Sequence, residues 1–149
     1  MIVDVEVHAT IDRPRAVVAG YCCDPDNVTA WYANIRTVEW KTAPPVTTGS
    51  RFTFRSEFLG RSMAYTYEVV ELVAARRFVM RSDGVPFAME TTYTWEDADD
   101  GGTFMTLRNR GEPRGFAGLA TPILATAIRR ATAKDLARLK AILEAVSLS

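Results

Sequence analysis

Histidine occurs once in this sequence of 149 residues, at His8, and cysteine twice, at the adjacent positions Cys22 and Cys23. Neighbouring cysteines cannot staple distant segments, so no disulfide framework is expected and both thiols should stay reduced. One histidine and no separated cysteine pair also remove the usual zinc and iron–sulfur ligand patterns. A carboxylate-only metal site is the one kind left open, and neither a metal nor a cofactor is expected. An excess of charge of either sign is missing as well: 18 Lys and Arg balance 18 Asp and Glu at zero formal net charge. That balance argues against a nucleic-acid or polyanion partner. No apolar run is long enough to cross a bilayer, and the opening MIVDVEVHAT lacks the basic-then-apolar order of a signal peptide. The expectation is a cytoplasmic protein without stable membrane insertion.

What the chain has is alternation. Val3, Val5, Val7, Ala9 and Ile11 share one face of a strand, and Asp4, Glu6, His8 and Thr10 share the other. His8 therefore stands on a polar face, where solvation and not catalysis is expected. Asp12-Arg13-Pro14 reads as a helix start with Asp12 as cap, followed by a short helix through Val17, Val18 and Tyr21. Asp24-Pro25-Asp26-Asn27 ends it and opens a second short helical piece carrying Val28, Trp31 and Tyr32. The two cysteines fall at this helix end with no flanking base, as buried small side chains and not nucleophiles.

From Ile35 to Arg110 the pattern is strands separated by turn residues. Phe52, Phe54, Ser56 and Phe58 oppose Arg51, Thr53, Arg55 and Glu57; Met63, Tyr65, Tyr67 and Val69 oppose Ala64, Thr66, Glu68 and Val70. Phe87, Met89, Thr91, Tyr93 and Trp95 line one face of a later strand whose reverse carries Glu90, Thr92, Thr94 and Glu96. Asp99-Asp100-Gly101-Gly102 is a hairpin turn, and Met105 and Leu107 share a face of the last strand. Glu57, Glu68 and Glu90 lie opposite the aromatics, hence toward water, and with Glu71 they offer little for acid–base work.

Phe116 to Val146 reads as one long amphipathic helix. Ile128, Leu136, Leu139, Leu143 and Val146 form a stripe interrupted by Thr132, with Arg129, Arg130, Lys134, Arg138, Lys140 and Glu144 on the polar side. A continuous helix of that length spans about 45 Å and must lie against something large and apolar. Pro122 leaves two readings: a helix capped by Thr121 and starting at Pro122, or one helix kinked there. Phe116, Leu119, Ile123, Leu124 and Ile128 surround the amino-terminal half more broadly than one stripe, so this half should be apolar on two sides.

The expected fold is α+β: a seven-stranded curved antiparallel sheet wrapped around a long carboxy-terminal helix, with two short helices after the first strand. Residues 1–149 should form one domain, burying about two thirds of the unfolded surface in a single core. This order of elements resembles the START-like (SRPBCC) superfamily with its helix-grip fold, and within it the polyketide cyclase/dehydrase and lipid-transport branch. The likeness is carried by Asp12-Arg13-Pro14, Asp24-Pro25 with Trp31-Tyr32, Gly49-Ser50-Arg51-Phe52, Tyr67-Glu68-Val69-Val70 leading to Arg76-Arg77-Phe78, and Gly101-Gly102-Thr103. It covers nearly the whole chain. The resemblance implies a deep, mostly apolar cavity between sheet and long helix, and no motif fixes catalytic residues.

If the aromatic faces point inward, Phe54, Phe58, Tyr65, Tyr67, Met89, Tyr93, Met105 and Leu107 line the sheet side of that cavity. Trp31, Tyr32, Leu124 and Ile128 complete its wall. Such a wall suits a sizeable hydrophobic molecule in about 300–1,000 Å³; interlocked rings forming a dry core are the alternative. Three functions follow. The first is binding, as carrier or sensor, of a lipid, polyketide or isoprenoid; the second is a polyketide aromatase/cyclase or dehydratase; the third is a protein-interaction module with a filled core. Self-association into a homodimer stays open.

Overall fold

Residues 3–82, 88–112 and 121–145 are described by a computed structural model, with the side chain of Thr121 left aside. In chain order they form β1 (Val3–Ile11), α1 (Arg15–Cys22), α2 (Val28–Trp31), β2 (Ile35–Trp40), β3 (Arg51–Phe58), β4 (Arg61–Val73), β5 (Arg77–Ser82), β6 (Ala88–Asp97), β7 (Thr103–Glu112) and α3 (Thr121–Ala145). The strands make one antiparallel sheet ordered β1-β7-β6-β5-β4-β3-β2.

Period-two alternation assigns the two faces. Val5, Phe52, Phe54, Tyr67, Val69, Phe78, Tyr93, Trp95, Met105 and Leu107 are buried on the concave side. On the convex side a row of alternating charge runs across six strands: Arg51 faces Glu68, Glu68 faces Arg81, Arg81 faces Glu90, Glu90 faces Arg110, and Arg110 faces Asp4. Directly opposed unlike charges favour this register, and a slip of one residue would turn the aromatic rows to water. Glu57, Glu68 and Glu90 all stand on this outer face, and Glu71 pairs there with Arg77 at 3.2 Å. The thirteen residues of β4 do not alternate throughout. A bulge between Val69 and Glu71 resets the register, so Leu72 joins the inner face opposite Phe78.

Helix α3 lays Leu136, Leu139 and Leu143 into the core. Its 25 residues span about 37 Å. The expected Phe116–Ala120 start and Val146 lie outside the described residues, as do Phe87 and whatever precedes Thr121, on which the choice between a start and a kink at Pro122 depends.

The polar side of α3 is not simply solvated. Arg129 Nη1 donates to the Glu6 carbonyl at 3.0 Å and Lys140 Nζ to the Thr10 carbonyl at 2.5 Å, so the helix caps the free edge of β1. Glu144 Oε2 accepts the backbone N–H of Asp12 at 2.8 Å. Asp12 therefore ties strand to helix and does not cap α1, whose N-cap is Pro14 without a side-chain bond.

Candidate ligand-binding cavity

Because α3 packs chiefly along β1, it leaves the far part of the concave face uncovered. A cavity of about 140 Å³ remains there. From the sheet, β3 contributes Phe54, Ser56 and Phe58, β4 Met63, Tyr65 and Tyr67, and β5 Met80. Met89, Thr91 and Tyr93 of β6 and Asn109 of β7 continue the floor. Val28, Tyr32, Asn34 and Ile35 close one side, and Ile128, Ala131, Thr132 and Asp135 of α3 close the other.

Four of the expected wall residues lie elsewhere. Trp31 is fully buried behind the wall, its ring 4.3 Å from that of Tyr32 and 5.7 Å from that of Tyr93. Met105 sits under α1, its Sδ 3.9 Å from Cys22 Sγ. Leu107 and Leu124 belong to the dry core with Leu136 and Leu139. The aromatic face is thus both things at once, packed solid where helices cover it and hollow beyond them. The hollow is also smaller than a site for a sizeable ligand usually is, because tyrosine rings and three methionines occupy much of it.

Polar groups also meet along this wall. The hydroxyls of Tyr32 and Tyr93 are 2.6 Å apart. Across the floor, Thr91 Oγ1 donates to Asn109 Oδ1 at 2.8 Å and Asn109 Nδ2 donates to Thr132 Oγ1 at 3.2 Å, linking β6, β7 and α3 in one chain. Burial raises the pKa of Tyr32, Tyr65, Tyr67 and Tyr93, so these hydroxyls are neutral donors and acceptors. The cysteines are no nucleophiles: burial pushes Cys22 well up and Cys23 up to about 12.

Asp135 is the group that the strand-based reading missed. Burial raises its pKa to about 6, against the opposing bonds from the Ala33 N–H at 3.0 Å and from Arg138 at 3.5 Å. The spacing did carry a signal: Ile128, Thr132, Asp135 and Leu139 succeed one another at helical intervals, which places a carboxylate within the inward stripe. Among the described residues no group of three or more His, Cys, Asp or Glu is placed to hold a metal ion, and no helix is long and apolar enough to cross a membrane.

Residues 3–144 match the profile of the family described as Polyketide cyclase / dehydrase and lipid transport. The chain belongs to that family. Its members' START-like helix-grip architecture is the one seen here, with the seven-stranded sheet, the two short helices and α3 in their places. No curated protein matches the sequence. Among solved structures, this polyketide cyclase / dehydrase and lipid transport family member is similar to the Zhui aromatase/cyclase from Streptomyces sp. R1128, at 16% identity and TM-score 0.77 over 97% of this chain and 94% of that one. It is similar as well to TTHA0849 from Thermus thermophilus, at 17% identity and TM-score 0.79 over 97% and 99%. The major latex-like protein 151 of Panax ginseng follows the same fold at 11% identity and TM-score 0.73 over 95% and 97%. At these identities the likeness is one of fold.

Proposed function

We propose that this chain binds a hydrophobic small molecule of the lipid, polyketide or isoprenoid kind in the cavity between the sheet and α3. The observation that carries this reading is an aromatic-walled hollow left open in a sheet that is otherwise packed dry. Membership of a family described by polyketide and lipid chemistry supports the same reading. An apolar cavity of about 150 Å³ accommodates a benzene-sized guest, so the hollow as it stands takes one ring. Longer guests require Met63, Met80 and Met89 to repack, which the flexible, unbranched methionine side chain does at low cost.

Calorimetric titration with propylbenzene, and then with longer isoprenoid alcohols, tests the proposal directly. Saturable binding that disappears in Ile128→Trp, a substitution that fills the hollow from α3, is the expected result. Binding unchanged by that substitution places the guest elsewhere and removes the proposal.

A second reading, an aromatase/cyclase or dehydratase, draws on the arrangement of Asp135 with the tyrosine hydroxyls. A carboxyl titrating near neutrality beside neutral hydroxyl donors suits proton transfer on a bound polyketone. Turnover of a short polyketone by the parent, lost in Tyr93→Phe while the variant stays folded, is the outcome that selects it.

A further inference from the structure

The cavity wall is electrically one-sided. Among the described residues that line it, Asp135 is the one charged side chain, and no Lys, Arg or His is present. The Asp135 side chain is 5% exposed. Its Oδ1 accepts the Ala33 N–H at 3.0 Å and a long bond from Arg138 Nη1 at 3.5 Å. That same Nη1 donates to the Trp31 carbonyl at 3.0 Å, and the Arg138 side chain is 42% exposed, so its charge is largely spent on backbone and water. Oδ2 has no hydrogen-bond partner among the described residues. The other groups facing this carboxylate are neutral: Tyr32 from the segment after α2 and Tyr65 from β4.

A buried carboxylate with one free oxygen sorts guests by charge. An anionic guest meets repulsion and finds no cation on the wall. A neutral guest leaves the charge with no more than the long contact from Arg138 at 3.5 Å. A cationic guest supplies a second counter-ion, on the cavity side and beside the long contact from Arg138, and because the carboxylate was already largely dehydrated on folding, the dehydration of the guest's own ammonium is the main cost of the pairing. Tyrosine ring faces on the same wall offset part of that cost by attracting a cation.

From this geometry we infer that the cavity selects a hydrophobic amine, its ring or short aliphatic body held among tyrosines and methionines and its ammonium group held by Asp135. The inference rests on the binding function proposed above and names the chemical class of its guest. It excludes fatty acids and other hydrophobic carboxylates.

Four probes of similar shape separate the possibilities by calorimetric titration of the full chain: phenethylamine, phenylethanol, propylbenzene and phenylpropanoate. At pH 8 phenethylamine should bind about tenfold more tightly than phenylethanol, one good charged contact's worth, and phenylpropanoate not measurably. The amine keeps its proton throughout, as lysine does, so below pH 6 its advantage should fade as Asp135 takes up a proton, with phenylethanol unaffected. Near pH 6 amine binding should release a proton, read from the dependence of the binding heat on buffer. Asp135→Asn keeps an acceptor for Ala33, and a cooperative unfolding transition reports that it folds; the ratio of phenethylamine to phenylethanol affinity should fall to about one in it. Phenylpropanoate or phenylethanol binding the parent as well as the amine does, or an amine advantage that survives Asp135→Asn, overturns the inference while leaving hydrophobic binding in place. If no probe binds, propylbenzene included, the binding function itself fails and the amine preference with it.

Discussion

The hydroxyls of Tyr32 and Tyr93 meet at 2.6 Å although 61 residues separate them in the chain. Tyr32 leaves the end of α2 and Tyr93 stands within β6, so the bond pins the side of the cavity to its floor, with the Trp31 ring against both. Either Phe substitution leaves the other hydroxyl buried without this partner. Tyr32→Phe and Tyr93→Phe should each lower the unfolding free energy by about 1 kcal/mol, and the double variant should lose less than the two together. Urea denaturation of the four proteins measures the coupling, and strict additivity would show that the contact contributes nothing.

Asp135 makes stability depend on pH in an unusual direction. Its pKa is about 6 in the folded chain against an ordinary 3.8, so the native state holds the proton more tightly than the unfolded one. Stability therefore rises as pH falls through that interval, by roughly 1–2 kcal/mol between pH 7 and pH 5. Asp4 and Glu144 work the other way: hydrogen bonds from Arg108 and Lys140 lower their pKa, and the stability they contribute is lost only at more acid pH. Asp135→Asn should be more stable than the parent at pH 8 and match it near pH 4. Denaturant midpoints across that range decide the matter, and a parent that weakens steadily from pH 7 to 5 would contradict it.

Gly111 is fixed by a close approach. It faces Met89 across β7 and β6, and a Cβ there would lie 2.0 Å from the Ala88 carbonyl oxygen and 2.7 Å from Met89 Sδ. The nearer atom is backbone and cannot swing aside. Gly111→Ala should cost about 2 kcal/mol or more, and trimming the partner with Met89→Ala should not rescue it. Rescue, seen as a restored melting temperature, would mean that the methionine and not the strand backbone sets the limit.

The turn from β3 to β4 holds Leu59 at φ 51° and Gly60 at φ 76°. Both angles belong to the two-residue hairpin turn that asparagine-glycine prefers, and leucine is a poor occupant of the first position. Leu59 is an exposed side chain, so little packing is lost on replacing it. Leu59→Asn should raise stability by about 0.5–1 kcal/mol, visible as a higher melting temperature. A lower one would reveal packing against Leu59 that outweighs its backbone angle.

How much of this was readable in advance follows the range of each interaction. Alternation along β1, β3, β4 and β6 is a property of neighbours in the chain, so the assignment of Phe54, Tyr65, Tyr67 and Tyr93 to one face and of Glu57, Glu68 and Glu90 to the other was legible from the residues alone. The bulge that turns Leu72 inward was not, since it depends on how β4 meets β5. Nor was the role of Asp12, whose backbone is taken by Glu144 from the opposite end of the chain.

By itself, then, the sequence determined the seven strands, their facing and the long amphipathic helix, because hydrophobic period is local and each apolar face must be covered. Only the tertiary structure decided where the aromatic face closes and where it stays hollow. That boundary depends on α3 lying along β1, which seals Leu107 into the core while Met105 lies under α1, and leaves Asp135 with Tyr32 and Tyr93 around an unfilled space. A carboxylate at position 135 is ordinary on a free helix surface; burial is what raises its proton affinity, against the opposing bond from the Ala33 amide, and burial is a property of the assembled fold.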